Sequence, residues 1–500
     1  MVRSHPETKN LIVFSLSILY SSLFACTIGA FSPSSTREIR PILWKNRDVH
    51  NPDQEMKLFT GERFRFIANV YAGETLDVWA GINEAGFAIM NSNSYNLPGA
   101  NRQGFLHFGR NDEVWGRNDI QECPMTNSQC PMDSRLRGND RQWSGADDGR
   151  IMRIALGTCA TVADFARLMD SFNIVGRQTP ANFGVFDASG KTVIFEASNT
   201  YWTVYDAQDD SLGFLLRANF SMSGGQARLL GKNRFERAME LCVPAVSEKR
   251  LSVEFIVKNL CRDLGQVGFN PYPLPFLSRL EPLPYGYLPT DTTICRNLTR
   301  SVEIMVGPEP NKSLNTSMIW VLLGAPIATL PIPLWIKAGK IPKELDGHLS
   351  ASICDEAQRL RDFLYPLSEF PNAINTFRLA QWLDHIAPVE STIFDLVARH
   401  ESIWGSSGPD STSAAGLTEE ICTLVLRTYQ DFYSKIEPER ATVNPFAQKS
   451  CPATILYSSL DLPGNARVYD VSGRKAPLPL SSGLYFQYAR YEPLRVVFLR

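Results

Sequence analysis

Residues 26–48 read Cys26-Thr-Ile-Gly-Ala-Phe-Ser-Pro33-Ser-Ser-Thr-Arg-Glu-Ile-Arg40-Pro-Ile-Leu-Trp-Lys45-Asn-Arg-Asp48. Two short apolar runs flank a Pro/Ser turn, which predicts a pair of strands with Asn46 to Asp48 at the end of the second. Just upstream, Arg3 and Lys9 precede the apolar run Leu11 to Ala25. A positive head, an apolar stretch of this length and a small residue at its end read as a signal peptide cut after Ala25. Cys26 would then open the mature chain, with a thiol nucleophile and a free amine on one residue.

Other readings of Cys26 stay open. Leu23-Phe-Ala-Cys26 resembles a lipoprotein cleavage box, and acylation would consume both thiol and amine. The stretch Leu11 to Phe31 is long enough for an uncleaved membrane anchor. Cys26 is also readable as an ordinary half-buried cysteine.

Working outward, Val78-Trp-Ala-Gly-Ile-Asn-Glu-Ala-Gly86-Phe-Ala-Ile-Met90 reads as strand, Asn-Glu-x-Gly turn, strand. Leu97 to Asp148 is loop-like, poor in periodic apolar residues, and carries no catalytic weight. Thr161 to Met169 reads as a capped helix, and Asn182 to Asp187 with Thr192 to Glu196 as a hairpin. Mixed strand and helix continues to about residue 345. Pro271 to Pro289 reads as irregular surface or lid, and Met318 to Ile336 as buried strands around a proline turn. From 346 to 440 the apolar spacing is helical.

The bulk numbers narrow the function. With 500 residues the chain exceeds one small core and suggests two to four domains. Net charge is −2 with no basic stripe, which argues against nucleic acid. The six histidines show no zinc spacing, and no phosphate-binding glycine loop or Gly-x-Ser-x-Gly elbow occurs, so no metal and no cofactor are expected. Ten cysteines impose no disulfide framework, although Cys123 and Cys130 are close enough to bridge.

Three blocks, Cys26-Thr-Ile-Gly, Trp44-Lys-Asn-Arg-Asp48 and Gly81-Ile-Asn-Glu-Ala-Gly-Phe-Ala-Ile-Met-Asn91-Ser-Asn93, resemble the N-terminal nucleophile hydrolases. The similarity is to their linear-amide branch of bile-salt hydrolases, penicillin V acylases and isopenicillin-type acyltransferases, over residues 26–345. It implies an α+β fold, a four-layer αββα sandwich with the nucleophile at the end of a central strand. It also implies roles. Cys26 would attack the amide carbonyl, with its own α-amine as base. Asp48 matches the carboxylate that holds amine and thiol. Lys45 stands where these acylases often carry arginine, keeping the charge but not the bidentate fork. Asn93, with Asn91 in reserve, and Asn219 match oxyanion donors. Arg234, with Arg237 as the alternative, matches an arginine that supports the nucleophile. Each has an ordinary reading too: Lys45 a solvated strand end, Asp48 a cap, Asn91, Asn93 and Asn219 strand-end or turn residues, and the arginines surface charges. Cys295 reads as a core or pocket-wall cysteine. Trp44, Phe87 and Tyr95 read equally as acyl-pocket lining or as core.

Residues 441–500 alternate strands with Gly/Pro turns and suggest a small β-sandwich. They resemble the C-terminal sorting domains of type IX-secreted proteins and related small immunoglobulin-like tails, which implies secretion machinery as a partner; a structural β-module with no transport role is the alternative. The expected organisation is a signal peptide (1–25), a catalytic domain (26–345), a helical extension (346–440) and a sorting-like domain (441–500). The expected function is an exported amidohydrolase, periplasmic, cell-surface or extracellular, acting on a small-molecule amide. An acyltransferase, a dipeptidase and a non-catalytic surface lipoprotein are the alternatives. The acyl group, the leaving amine and the oligomeric state stay open.

Overall fold

The computed structural model describes residues 26–98 and 147–442, together with the strands 467–470, 483–488 and 495–499. The signal-like segment 1–25, the loop cysteines Cys123 and Cys130, and most of 443–500 lie outside the described residues.

The opening pair of strands, β1 (Thr27–Phe31) and β2 (Ile42–Asp48), is antiparallel and buried along its whole length. Strands covered on both faces lose the apolar-polar alternation of a half-exposed sheet, which is why Thr-Ile-Gly-Ala-Phe reads as a continuous apolar run. Next comes a seven-stranded antiparallel sheet in sequence order: β3 (Gln54–Thr60), β4 (Arg65–Tyr71), β5 (Ala80–Asn83), β6 (Ala88–Asn93), β7 (Ala181–Phe186), β8 (Thr192–Ala197) and β9 (Trp202–Asp206). Between β5 and β6, Asn83 accepts from the N–H groups of Ala85 and Phe87, and Gly86 takes a φ of 76° that the turn requires. The chain then returns to the first sheet through β10 (Phe214–Arg217). A short ladder joins β11 (Tyr287–Pro289) to β15 (Ala373–Asn375), and β12 (Thr299–Val306), β13 (Met318–Leu323) and β14 (Ile332–Leu334) complete the six-stranded order β10-β1-β2-β12-β13-β14.

The sheets pack face to face, β1 and β2 lying over β6 and β7. The outer face of the seven-stranded sheet carries α1 (Asp148–Thr158) and α2 (Val162–Val175), where Phe87, Phe183 and Phe195 surround Phe165. Against the six-stranded sheet lie α3 (Lys232–Ser247) and α5 (Ser352–Leu364), and the single turn α4 (Val253–Phe255) leads into a π-helical continuation, 256–260, that packs on α3. The molecule is therefore a mixed α/β sandwich, helices on two antiparallel sheets in αββα order. The predicted helical stretch is α5, α6 (Thr376–Trp404) and α7 (Ser411–Thr442). Residues through Tyr433 form one compact unit and those from Ser434 a second. In the second unit, β16 (Arg467–Asp470), β17 (Gly483–Tyr488) and β18 (Arg495–Leu499) form an antiparallel three-stranded sheet.

Among the described residues no helix is long and apolar enough to cross a membrane. The anchor reading that runs to Phe31 is corrected by β1, since Thr27–Phe31 is a buried strand between β10 and β2. Trp44 and Phe87 are fully buried core residues.

Candidate active site

Cys26 sits immediately before β1, so the strand's position in the sandwich sets where its sulfur lies. The residue is 9% exposed. Burial pushes its thiol pKa up; the charge of Lys45 acts most strongly in the opposite direction, Asp48 adds to the rise, and a backbone hydrogen bond from Asp48 and the charge of Arg47 lower it.

Lys45 and Asp48 both come from β2 but serve different faces. Lys45 points toward the seven-stranded sheet, where its Nζ donates to Asn91 Oδ1 at 2.5 Å and to the carbonyl of Trp79 at 2.7 Å. It is not a solvated strand end: it is buried, and burial lowers its pKa against the raising influence of Cys26. Asp48 has the opposite parity. Its Oδ1 accepts from Thr299 Oγ1 at 2.6 Å and its Oδ2 from Arg296 Nη1 at 3.2 Å. Burial raises its pKa, and Arg296 and Arg234 pull it back.

Arg234 belongs to the buried stripe Arg234, Ala238, Cys242 and Ala245 of α3, whose spacing follows the helical repeat. Its Nη1 donates to the Cys26 carbonyl and to Thr27 Oγ1, both at 2.7 Å, and its Nη2 to Asn219 Oδ1 at 2.7 Å. Gly231 makes this possible. Its φ is 80°, and a Cβ there would lie 2.3 Å from Arg234 Nη2. Arg237 lies off that stripe and forks onto Asp263 at 2.9 Å through two nitrogens. Of the two arginines, Arg234 is the one that reaches Cys26.

Asn219 is fully buried, and its Nδ2 donates to the carbonyl of Asn93 at 3.2 Å. Its own carbonyl accepts from Tyr95 N at 3.1 Å. These bonds tie the end of β6 to the segment after β10. The Asn93 side chain hydrogen-bonds the Tyr95 hydroxyl, whose pKa burial raises and on which Cys26 also acts. Asn91 turns instead toward α1, where its Nδ2 donates to the buried carboxylate of Asp148. Cys26, Lys45, Asp48, Asn93, Asn219 and Arg234 thus converge at one end of the sandwich, within reach of one another through one or two hydrogen bonds or direct charge interactions.

The sequence reading missed Arg296, Thr299 and Asp148. The first two lie in Asp291-Thr-Thr-Ile-Cys-Arg-Asn-Leu-Thr299, of which only Cys295 draws notice; an arginine just ahead of a strand carries no spacing signal. Asp148 did leave one. Asp147-Asp148-Gly149 precedes apolar residues at Ile151, Met152 and Ala155, a helix-start pattern. Among the described residues, no cluster of His, Cys, Asp and Glu could hold a metal ion.

No family model matches this chain, and no curated protein matches it. Among solved structures, it is similar to a variant of the conjugated bile acid hydrolase from Clostridium perfringens, with 11% identity over 62% of this chain and 92% of that one, and a TM-score of 0.34. Penicillin V acylase from Agrobacterium tumefaciens is similar at 14% identity over 62% of this chain and 85% of that one, with a TM-score of 0.33. A penicillin G acylase from Alcaligenes faecalis follows at 13% identity over 46% and 51%, with a TM-score of 0.29. At these scores the functional reading is left to the residues.

Proposed function

We propose that this chain is an exported cysteine amidohydrolase that cleaves a linear amide through an acyl-enzyme on Cys26. The observation that carries the reading is the convergence of Lys45, Asp48 and Arg234 on a cysteine at the start of a central strand.

In the full chain the nitrogen of Cys26 belongs to the Ala25–Cys26 peptide and cannot act as a base. Removal of residues 1–25 converts it to an amine, whose reference pKa of about 7.7–8.0 suits proton transfer near neutrality. The amine takes the thiol proton as the sulfur attacks the amide carbonyl. The C–N bond then breaks, the amine group of Cys26 returns the proton to the leaving nitrogen, and the acyl group stays on sulfur. Water attacks the thioester, frees the acid and restores the thiol. Lys45 stabilises negative charge on sulfur. Asp48, gripped by Thr299 and Arg296, orients the new amine. Asn219 and Asn93 supply donors for the oxyanion. Arg234 fixes the backbone of Cys26 and the amide of Asn219 together. Export fits the apolar run before Ala25, and residues 441–500 would engage the secretion machinery.

The test starts with the intact mass and N-terminal sequence of the exported protein, followed by turnover of N-acyl amino acids and phenoxyacyl amides. An unmodified Cys26 terminus with amide turnover supports the reading. A lipidated Cys26, or residues retained before it, overturns it. A requirement for a free substrate α-amine would redirect it to a dipeptidase.

A further inference from the structure

Asp148 is buried in the first turn of α1, yet the helix does not need it as a cap. Asp147 fills that role, its side chain accepting from Arg150 N at 3.0 Å. Burying a second carboxylate there is costly without compensation. Asp148 makes a local contact at 3.2 Å with Gly149 N, and its other oxygen accepts from Asn91 Nδ2.

The strand geometry explains why this contact reaches the site. The β5–β6 ladder ends at the Ala80–Met90 pair, so Asn91 lies one residue beyond it. Asn91 shares strand parity with Ile89, which packs on the helix side of the sheet. Lys45 arrives from the opposite sheet and donates to Asn91 Oδ1 at 2.5 Å. A carboxylate only accepts and an ammonium only donates, whereas an amide has one end for each. With Asp148 on one side and Lys45 on the other, a single orientation of the Asn91 amide satisfies both.

We propose that Asp148 is a positioning residue for Cys26: it fixes the amide of Asn91, which in turn holds the Lys45 ammonium beside the sulfur. Lys45 is the foremost charge acting on the thiol, and Asp148 holds Lys45 both by direct charge and through the Asn91 amide. The kinetic part of this inference rests on the proposed amidohydrolase; the thiol part does not.

The test uses the mature protein and follows Cys26 ionisation by ultraviolet thiolate absorbance against pH, as the difference from a Cys26→Ser control in each background. Asp148→Ala, which removes the acceptor that Asn91 donates to, should raise the Cys26 midpoint by about one pH unit, about tenfold less thiolate at a fixed pH below it. Asn91→Ala breaks the bridge at its middle and should do the same, and the double variant should move the midpoint no further than either single change. The kcat should fall about tenfold with KM within about twofold. An unchanged midpoint in Asp148→Ala, or additive shifts in the double variant, overturns the inference. If Asp148→Ala does not fold, an unchanged midpoint in Asn91→Ala overturns it. If the wild type hydrolyses no amide while the midpoint still moves, the functional reading fails and the positioning role stands.

Discussion

On its helix-backed face the seven-stranded sheet sets Phe87, Phe183 and Phe195 around Phe165, whereas near the end of β6 Asn91 joins Lys45 and Asp48 of β2, Asp148 of α1 and Arg234 of α3 about Cys26. The first region is stabilised by removing apolar area from water, at about 25 cal/mol per Å². The second works against burial at each charged group. Burial is the leading cause of the shift for Cys26, Lys45, Asp48, Arg234 and Asp148, and in every case it opposes the charged form. Such a region holds together only through its own partners, so removing one group exposes the cost of the next. The apolar region should therefore control stability, and the polar one activity.

The largest expected effect tests the second half of that statement. Cys26→Ala, correctly processed, should lower kcat by about 10⁴-fold or more. Its Tm should stay close to the wild type, because a small buried side chain replaces another. Residual turnover near wild type would remove Cys26 from the chemistry.

Phe165→Ala tests the first half. The Phe165 ring meets Phe195 and Phe183 edge to face, with centroids 5.1 Å and 5.8 Å apart. Its truncation should cost about 3–5 kcal/mol in denaturant unfolding, with kcat per folded molecule unchanged. A comparable fall in kcat would mean that the two regions are not separable.

Arg234→Lys lies between. Lysine keeps the charge but cannot span the Cys26 carbonyl, Thr27 Oγ1 and Asn219 Oδ1 at once. A loss of about 1–3 kcal/mol in stability is expected from the broken buried bonds, with a fall in kcat larger than that of Arg237→Lys. Equal effects at the two positions would contradict the assignment of Arg234 to the site.

The two regions also differ in how far they can be read in advance. Strand alternation and helix spacing mark Phe165, Phe183 and Phe195, because a period of 2 or 3.6 survives in the sequence whenever one face is apolar. Cys26, Lys45 and Asp48 were legible as a motif, and the αββα layering followed from the resemblance that the motif carries. The partners were not. Asp48 meets Arg296 and Thr299 across some 250 positions, and Lys45 meets Asp148 through Asn91, contacts that depend on sheet register and on where β5 stops pairing. The choice of Arg234 over Arg237 required the burial stripe of α3, which short-range spacing leaves ambiguous.

Asp148 provides a subtler break in the comparison, through pH. Burial first, then Asp147, push its carboxyl up to about 6, against the opposing pull of Lys45 and Asn91. A folded pKa above the unfolded value of 3.8 means that ionising Asp148 costs stability, increasingly as pH rises from about 4 through 6. Asp148→Asn lacks that cost. Its Tm relative to the wild type should be most favourable above about pH 7 and should fall away below about pH 6. A Tm difference independent of pH would show that folding leaves the pKa of Asp148 unshifted.

The smallest effect belongs to a residue that serves the apolar region alone. Thr161 caps α2: its side chain accepts from Asp164 N at 3.1 Å, while Asp164 Oδ2 accepts from Thr161 N at 2.9 Å. Thr161→Ala should cost about 1 kcal/mol of stability. The helix it starts carries Phe165 and Met169 onto the sheet and supplies nothing to Cys26. Its kcat and its Cys26 titration should therefore match the wild type, whereas Asp148→Ala, also at a helix start, should change both. If the two helix-start variants behaved alike, Asp148 would be acting as an ordinary helix-terminal residue, and the distinction between the regions would fail at the point where they come closest.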